Sequence, residues 1–563
     1  MRSERWWEEG RVRWWQRGWV RGVRVVLACG MMGLGAAGWY VARHAEPILK
    51  KKVVETLEAR FHSPVELDGL SISVAKGLEV QGTGLRILSL VGADEAQGST
   101  PMVSVQSFTF RTRMWDVLHD RTHVGLVYAY GMEVHIPPGE KRAVMFGASG
   151  VKGEPKPKVA VLVDQIFVNG MKLIIDTDKP GKEPLEFDIK TVDLHDVGMD
   201  KPLLYSADLL NPKPVGEIHA EGHFGPWDLD DPRETAVDGT YRFEHADLST
   251  IKGIGGMLSS IGTFVGELGK IAVDGTTETP DFYLDISDHP VPLHTQFHAI
   301  VDGTTGDTTL DPVQAQLIHT SFTCRGTVMR VPGKGHDIAL TVDMPSGRLE
   351  DVLTLGTKSK VPMMRAAMSM RAKLHLPPGP ERVAAKLELA GTVGERGISY
   401  GNPKVQDKID SLSMRAQGRP EEAKAAGSDG KAQVASQLQT GFALGHGVAT
   451  FRDVKYSIPG ALVELNGAYS MDRELFEFKG HVKTDATASQ MVTGWKSLLL
   501  KPVDRFLKKN GAGMELPIEI SGTKSDFHFG LTGDGGADES ADQIAADLRR
   551  PGGGGTSNKQ DEQ

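Results

Sequence analysis

The chain contains almost no cysteine: its 563 residues include only Cys29 and Cys324. Because Cys29 lies inside an apolar run near the N-terminus, the two thiols are not expected to pair. The sequence therefore excludes a fold built on a disulfide framework. A chain of this length buries enough surface to fold without cross-links, so the scarcity of cysteine does not identify the redox compartment.

The sequence also lacks the short motifs that carry common catalytic chemistry. It contains no G-x-x-x-x-G-K-[ST], no G-x-S-x-G, no H-E-x-x-H and no C-x-x-C. His219 and His223 share one face of an expected strand with Glu217 and Glu221, a spacing that suits metal ligands but that a solvated outer face also produces. We therefore expect no metal site, no cofactor and no enzymatic activity.

Basic residues are scarce beyond the N-terminal segment. Residues 1–52 hold eleven Lys or Arg and four Glu. The net charge is therefore about +7 for this segment and about −16 for the rest of the chain. Nucleic-acid binding depends on Lys and Arg that neutralise phosphates. An acidic body of this kind excludes a nucleic-acid partner.

An uncharged apolar run is present near the N-terminus. Residues Val25–Ala42 span about 18 positions without a charge, close to the minimum for crossing a bilayer core of roughly 30 Å. Seven Arg precede Val25, which predicts a transmembrane helix with its N-terminus in the cytoplasm. A cleaved signal peptide is the alternative, and the length of the run favours the anchor. The expected membrane residues are Val25, Leu27, Leu34, Trp39 and Tyr40.

The rest of the chain alternates between apolar and polar residues in short runs broken by glycine and proline. This pattern is typical of strands with one apolar and one polar face, and it predicts a mostly β fold. Segments 146–158, 418–433 and 533–563 lack the alternation and are rich in glycine, charge and small residues. We interpret the first two as loops and the last as disordered.

Three segments have apolar residues at helical spacing: 48–61, 248–268 and 490–509. Similar strands follow the second and third, which suggests a strand-helix-strand unit used twice. The third segment carries a large apolar stripe, interpreted as a cap over the end of the sheet or as a membrane-docking surface. The stripe consists of Trp495, Leu498, Leu499, Val503 and Phe506.

Several segments are informative through their order along the chain. They are Pro64–Val74 (PVELDGLSISV), Gly77–Ile87 (GLEVQGTGLRI), Val301–Asp307 (VDGTTGD), Ile458–Tyr469 (IPGALVELNGAY) and Leu516–Thr523 (LPIEISGT). Together with the anchor and the helical segments, this succession over about residues 25–530 resembles the AsmA family of bacterial envelope proteins. Each motif alone is a generic β pattern, and only the succession is specific.

The resemblance implies an inner-membrane anchor and a periplasmic body that forms an elongated, curved antiparallel β-sheet with a few amphipathic helices. In this family the apolar groove of the sheet is thought to carry lipid acyl chains, and relatives are tied to phospholipid transport and outer-membrane assembly. The implied partners are phospholipid, the inner membrane and other envelope proteins. A plain β-sandwich and a non-enzymatic scaffold that binds partners along sheet edges are the alternatives.

This interpretation divides the chain into five parts. Residues 1–24 form a cytoplasmic basic segment and residues 25–42 the transmembrane helix. Residues 43–290 form the N-terminal part of the periplasmic body, and residues 291–530 the AsmA-like C-terminal region. Residues 531–563 are expected to be a disordered tail.

Overall fold

Alternating apolar and polar residues form strands throughout the part of the chain that the computed structural model describes. Strands account for 66 % of the described residues, which confirms the predicted mostly β fold class. The described residues are 63–73, 78–88, 101–112, 123–136, 162–175, 180–197, 201–226, 232–357, 361–426, 434–471, 473–493, 513–523, 527–531 and 537–549, with Asp504 and eight residues between 47 and 58.

The chain divides into two compact units. Unit 1 comprises Met1–Asp178, Pro184–Leu209 and Glu221–Ala236. Unit 2 comprises Lys179–Glu183, Leu210–Ala220 and Val237–Gln563. The division expected from the sequence, at residue 290, therefore lies inside unit 2.

Unit 1 contains strands that pair in chain order. They are β1 (Val65–Ser73), β2 (Leu78–Leu88), β3 (Pro101–Thr112), β4 (His123–Ile136), β5 (Leu162–Ile175) and β6 (Leu185–Val197). Two further strands, β7 (Leu203–Pro212) and β8 (Val215–Phe224), each have residues in both units. Within unit 1, β6 pairs with β7 through residues 204–209.

One strand pair of unit 1 contradicts the expected all-antiparallel sheet. Strands β4 and β5 run parallel, from His123 beside Leu162 to Ile136 beside Ile175. A parallel pair needs a connection long enough to return the chain to its starting end, and residues 137–161 supply that length. The one-faced alternation of both strands is the same in either direction, so it could not reveal this reversal.

The two faces of the unit 1 sheet differ in polarity, although the exposed Tyr128 and Tyr130 lie on the more polar one. Each face is represented by a row of directly paired residues. The apolar row is Leu67, Leu85, Val105, Met132, Met171, Ile189 and Leu209. The polar row is Glu66, Arg86, Ser104, Glu133, Lys172 and Asp188. Val53, Val54 and Leu57 pack against the core of this unit, and the described residues between 47 and 58 are helical, as predicted for 48–61.

Unit 2 is built from the remaining strands. From β11 onward each strand pairs antiparallel with the next, and β9 also pairs with β11. The strands are β9 (Ala236–Asp247), β10 (Ile254–Gly255), β11 (Met257–Glu267), β12 (Lys270–Leu284), β13 (Val291–Val301), β14 (Thr308–Leu317), β15 (Thr320–Val331), β16 (Gly335–Arg348), β17 (Met364–Leu376), β18 (Glu388–Tyr400), β19 (Gln437–Gly445), β20 (Val448–Ile458), β21 (Ala461–Ser470), β22 (Leu475–Thr484), β23 (Met514–Thr523) and β24 (Phe527–Leu531).

Helices are short and few in the described residues. Apart from the helical residues between 47 and 58 and Asp504, the α-helices are α1 (Leu349–Gly356), α2 (Val383–Lys386), α3 (Pro403–Ala416), α4 (Pro420–Ala426) and α5 (Ala541–Arg549). Two 3-10 turns occur at Pro232–Glu234 and Leu248–Thr250. Helix α3 begins with a cap in which the Asn402 side chain accepts a hydrogen bond from the Lys404 amide, with Pro403 in the first turn.

The prediction of an amphipathic helix over 248–268 is wrong. Apart from the 3-10 turn, this segment forms strands β10 and β11. Gly253 and Gly256 adopt φ values of 109° and 121°, which are incompatible with a right-handed helix. In β11 the side chain of Ile261 is exposed, whereas that of Phe264 lies on the opposite, partly buried face. Because residues 248–268 do not form this helix, the predicted strand-helix-strand repeat is wrong as well.

Two segments interpreted as unstructured contain helices. Helix α4 lies within 418–433, where a loop was expected. Helix α5 lies within the expected disordered tail, and its Ile544, Ala545 and Leu548 are buried. They pack against Val448 of β20 and Ala468 of β21. The prediction of disorder is therefore wrong for 541–549, because composition does not detect an apolar stripe of this length that has a partner surface.

The predicted transmembrane residues, including Val25, Leu27, Leu34, Trp39 and Tyr40, lie outside the described residues. Within the part of the chain that the structure describes, no helix is long and apolar enough to cross a membrane. The stripe Trp495, Leu498, Leu499, Val503 and Phe506 also lies outside the described residues. Asp504 in the same segment is helical and accepts a hydrogen bond of 2.7 Å from the Ser489 hydroxyl.

Candidate ligand-binding face

One face of the unit 2 sheet is apolar without interruption along its central row. The row follows direct residue partners across fourteen strands, from β11 to β24. Its members are Gly262, Gly275, Phe297, Val313, Cys324, Val342, Ala372, Gly391, Phe442, Phe451, Gly467, Phe478, Ile520 and Phe529. With strands about 4.8 Å apart, this row extends over roughly 60 Å.

The next row on the same side is also apolar or aromatic. Its members are Phe264, Val273, Ala299, Leu310, Gly326, Leu340, Leu374, Leu389, Leu444, Ala449, Tyr469, Phe476 and Gly522. Successive side chains of a strand point to opposite faces, so these two rows belong to one surface. We call the surface formed by both rows and their same-side neighbours the apolar face.

The opposite side of the sheet is polar and carries cross-strand ion pairs. Its row across β12 to β18 is Thr276, Gln296, Gln314, Thr323, Asp343, Arg371 and Thr392. Arg371 Nε lies 3.1 Å from Asp343 Oδ1, and Lys483 Nζ lies 2.7 Å from Glu464 Oε2. Exposed pairs of this kind contribute little stability. They identify this side as solvated over β12 to β18, whereas over β20 to β22 it is covered by α5, whose Ile544 packs against Val448 and Ala468.

The apolar face is only partly buried. Most of its larger side chains, such as Phe297, Phe442 and Leu374, have intermediate exposure. Exposure is greatest at β24, where Phe529 is 64 % exposed and Leu531 is 70 % exposed. Contiguous exposed apolar surface of this extent is unusual for a monomeric soluble protein and marks a site of interaction.

Helix α1 covers one part of the apolar face. Its Leu349 is buried in a cluster with Met344, Met368 and Ile398, and Val352 and Leu353 of the helix pack against that cluster. The Asp351 carboxylate accepts a 2.7 Å hydrogen bond from the hydroxyl of Thr320, the first residue of β15. This bond holds the helix against the turn between β14 and β15. The face is therefore covered beside α1, where strands β16 to β20 contribute side chains.

Aromatic rings meet across the face near its β24 end. The rings of Phe451 and Phe478, which lie on strands β20 and β22, have centroids 5.8 Å apart. Gly467 lies between them on β21, and a Cβ atom at this position would be 2.1 Å from the Phe478 ring. Glycine is required here because any side chain would displace the ring.

One group of polar residues on the apolar face lies beside α1. Glu395 follows Met368 and precedes Leu438 in a row of direct partners that continues to Tyr456. Glu395 is only 8 % exposed, and burial raises the pKa of its carboxyl group. Burial also raises the pKa of Tyr400, whose hydroxyl donates a 3.2 Å hydrogen bond to the Tyr456 hydroxyl.

Cys324 provides a chemical probe of the apolar face. Its side chain is buried, and burial raises the pKa of the thiol from 9.0 to about 11. At pH 8 this reduces the reactive thiolate fraction roughly a hundredfold. In a Cys29→Ser protein we therefore expect iodoacetamide to modify Cys324 at least about a hundredfold more slowly in the folded state than in urea. Mass spectrometry of the adduct over time measures both rates, and equal rates would contradict the buried placement.

Residues considered as metal ligands lie on a solvated surface. Glu217, His219, Glu221 and His223 alternate along β8, and all four are exposed. In the part of the chain that the structure describes, no group of three or more His, Cys, Asp or Glu residues could hold a metal ion.

Comparison with known proteins does not assign the chain to a family. Searches of family models, curated proteins and solved structures found no match. The resemblance to the AsmA family therefore rests on the order of segments in the sequence.

One-faced strands were predictable from the sequence, but Glu395 was not recognised as a candidate site residue. In β18 the apolar positions Leu389, Gly391 and Val393 alternate with polar ones, and Glu395 occupies the next apolar-phase position. A carboxylate at such a position is a detectable exception once the strand extends to Tyr400. The sequence predicts this strand only over residues 384–389, so Glu395 lies beyond its predicted end.

Proposed function

We propose that this protein is an AsmA-like envelope protein that binds the acyl chains of phospholipid on the apolar face of unit 2 and contributes to phospholipid transport or outer-membrane assembly. The observation that carries the proposal is the central row of fourteen residues without one polar side chain. An acyl chain makes no hydrogen bonds, so a binding surface for it requires this absence of polar groups.

The proposal includes a groove formed by curvature of the unit 2 sheet. Register shifts interrupt seven of its strand pairs. Such bulges bend strands and increase their twist. Intermediate exposure of Phe297, Phe442 and Phe478 supports a concave apolar face, because neighbouring side chains shield one another on the inside of a bend.

Energetics favour a lipid occupant over water. Each Å² of apolar surface that leaves water contributes about 25 cal/mol. Acyl chains are flexible and can follow the uneven surface made by glycines and large aromatic side chains in the central row. The polar side of the sheet can remain solvated at the same time, since its charged residues are already paired across strands.

Membrane attachment is the second part of the proposal. The uncharged run Val25–Ala42 anchors the chain in the inner membrane, and residues beyond Arg43 lie in the periplasm. A reporter that is active only after export, fused after Gln563, is expected to be active. A reporter that is active only in the cytoplasm, fused at the same site, is the control, and its activity would contradict this topology.

Mass spectrometry of bound lipid tests the proposal. The full chain, extracted under mild conditions, is expected to retain phospholipid in stoichiometric amount. A Leu374→Asp variant has the same anchor, so the lipid that it retains measures the amount bound around the anchor. This amount is subtracted from the lipid retained by the wild type. A well-folded protein that retains no more lipid than this variant would favour the scaffold alternative, in which partners pair with a sheet edge such as β24.

A further inference from the structure

A small polar cluster interrupts the apolar face beside helix α1. It consists of Glu395 on β18, Tyr400 at the end of the same strand, and Tyr456 on β20. Glu395 and Tyr456 belong to one row of direct partners, separated by Leu438. Tyr400 joins this cluster through the hydrogen bond from its hydroxyl to the Tyr456 hydroxyl.

Glu395 is only 8 % exposed. It nevertheless has no hydrogen-bond or ion-pair partner among the described residues. Burial raises the pKa of this carboxyl group, because an unpaired carboxylate is unfavourable away from water. Burial thus favours the neutral carboxylic acid over the carboxylate. A neutral carboxyl group carries an O–H that can donate a hydrogen bond.

Tyr456 supplies a second donor. Its hydroxyl oxygen accepts the hydrogen bond from Tyr400, so that bond does not use its own O–H. Beside α1 the face therefore holds two possible donors, the neutral form of Glu395 and the Tyr456 hydroxyl, among apolar side chains such as Met368 and Leu438. A ligand that matches this arrangement has a neutral hydrogen-bond acceptor attached to hydrocarbon.

We propose that Glu395 and Tyr456 form a subsite for the ester carbonyl groups of an acyl lipid, which fixes the position of the lipid along the apolar face. This inference rests on the proposed binding of acyl chains and adds a polar anchoring point to it. An ester carbonyl accepts hydrogen bonds without bringing a charge into the face. A phosphate group fits less well, because burial of its charge beside Glu395 lacks a compensating cation.

The test compares two phospholipids that differ only in the acceptor. One has ester-linked chains, and the other has ether-linked chains of the same length with the same headgroup. The full chain is equilibrated with an equal mixture, and bound lipids are counted by native mass spectrometry. Because a neutral hydrogen bond contributes modestly, we expect a preference for the ester lipid of about fivefold in the wild type.

Substitutions at Glu395 and Tyr456 test whether this cluster causes the preference for the ester lipid. Glu395→Leu and Tyr456→Phe are each expected to reduce the ester preference, and together to abolish it. Glu395→Gln keeps a donor and should retain most of the preference. Glu388→Gln is the matched control, because it makes the same chemical change at an exposed position of β18 that pairs with His375 on the polar side. It should leave the preference unchanged.

The outcomes separate this inference from the proposed function. Binding of both lipids without preference, or a preference that survives in Glu395→Leu, would overturn the ester subsite while leaving acyl binding intact. Failure of both lipids to bind above the level of Leu374→Asp would overturn the proposed function itself. The Glu395→Leu variant is expected to remain folded, because replacing an unpaired buried carboxyl group with leucine should not destabilise the sheet. A change in its lipid preference can therefore be attributed to the lost carboxyl group.

Discussion

An Ile544→Asp substitution is expected to detach helix α5 and lower the free energy of unfolding by about 3–5 kcal/mol. Ile544 is fully buried in a cluster with Val448 and Ala468. Aspartate there would remove apolar contacts and bury a charge without a partner. Thermal unfolding measures the loss of stability, and limited proteolysis should show earlier cleavage near residue 549.

The matched control is Ala546→Asp, which introduces the same side chain at an exposed position of the same helix. Its effect should stay within about 0.5 kcal/mol, as for most surface substitutions. If Ile544→Asp behaved like this control, α5 would not be docked on the sheet. The tail would then be disordered, as composition alone suggested.

Strand content was predictable because alternation is a local property. Strands β12 to β16 repeat an apolar and a polar residue in phase, and the structure follows that phase through Val273, Phe297 and Val342. The faces of the sheet were therefore accessible from the sequence. Which strand lies beside which, and in what direction, depends on distant contacts, so the parallel pairing of β4 with β5 was not accessible.

The missed elements have identifiable physical causes. Residues 364–376, for which the sequence predicted no strand, form β17. This strand alternates Met and Ala with Arg and Lys, and alanine and lysine have weak strand propensity. The false helix at 248–268 arose because apolar residues three and four apart can also fall on both faces of a strand, as Ile261 and Phe264 do. Helix α5 is short, and its stability comes from packing against β20 to β22 rather than from propensity.

The candidate site was predictable as a surface but not as a set of groups. One-faced strands predict that an apolar face exists. The position of Glu395 on that face depends on the register between β17, β18 and β19, which places it beside Met368 and Leu438. Its lack of a partner is a property of the packed structure. In the sequence it differs from a surface glutamate only by its phase relative to Leu389, Gly391 and Val393, which is informative once β18 is known to extend to Tyr400.

Under the proposed function, a Leu374→Asp substitution is expected to reduce bound phospholipid to the amount held around the proposed anchor. Leu374 lies in the second apolar row, between Leu340 and Leu389. A charge at this point is poorly solvated beneath an acyl chain, so lipid must leave or the carboxylate must be protonated. Because Leu374 is only partly buried, the charge can reach water once lipid has left, and the loss of stability should be limited to about 1–2 kcal/mol.

The neighbouring Lys373→Asp variant is the control for this prediction. Lys373 is adjacent in the chain but lies on the polar side of β17, where it is exposed. It should retain wild-type lipid and wild-type melting temperature, even though its change in charge is larger. Lipid counted by mass spectrometry and melting temperature are measured for both variants. Equal lipid content in the two would show that the polarity of the two faces does not determine lipid binding, because adjacent positions of one strand differ only in the face to which they point.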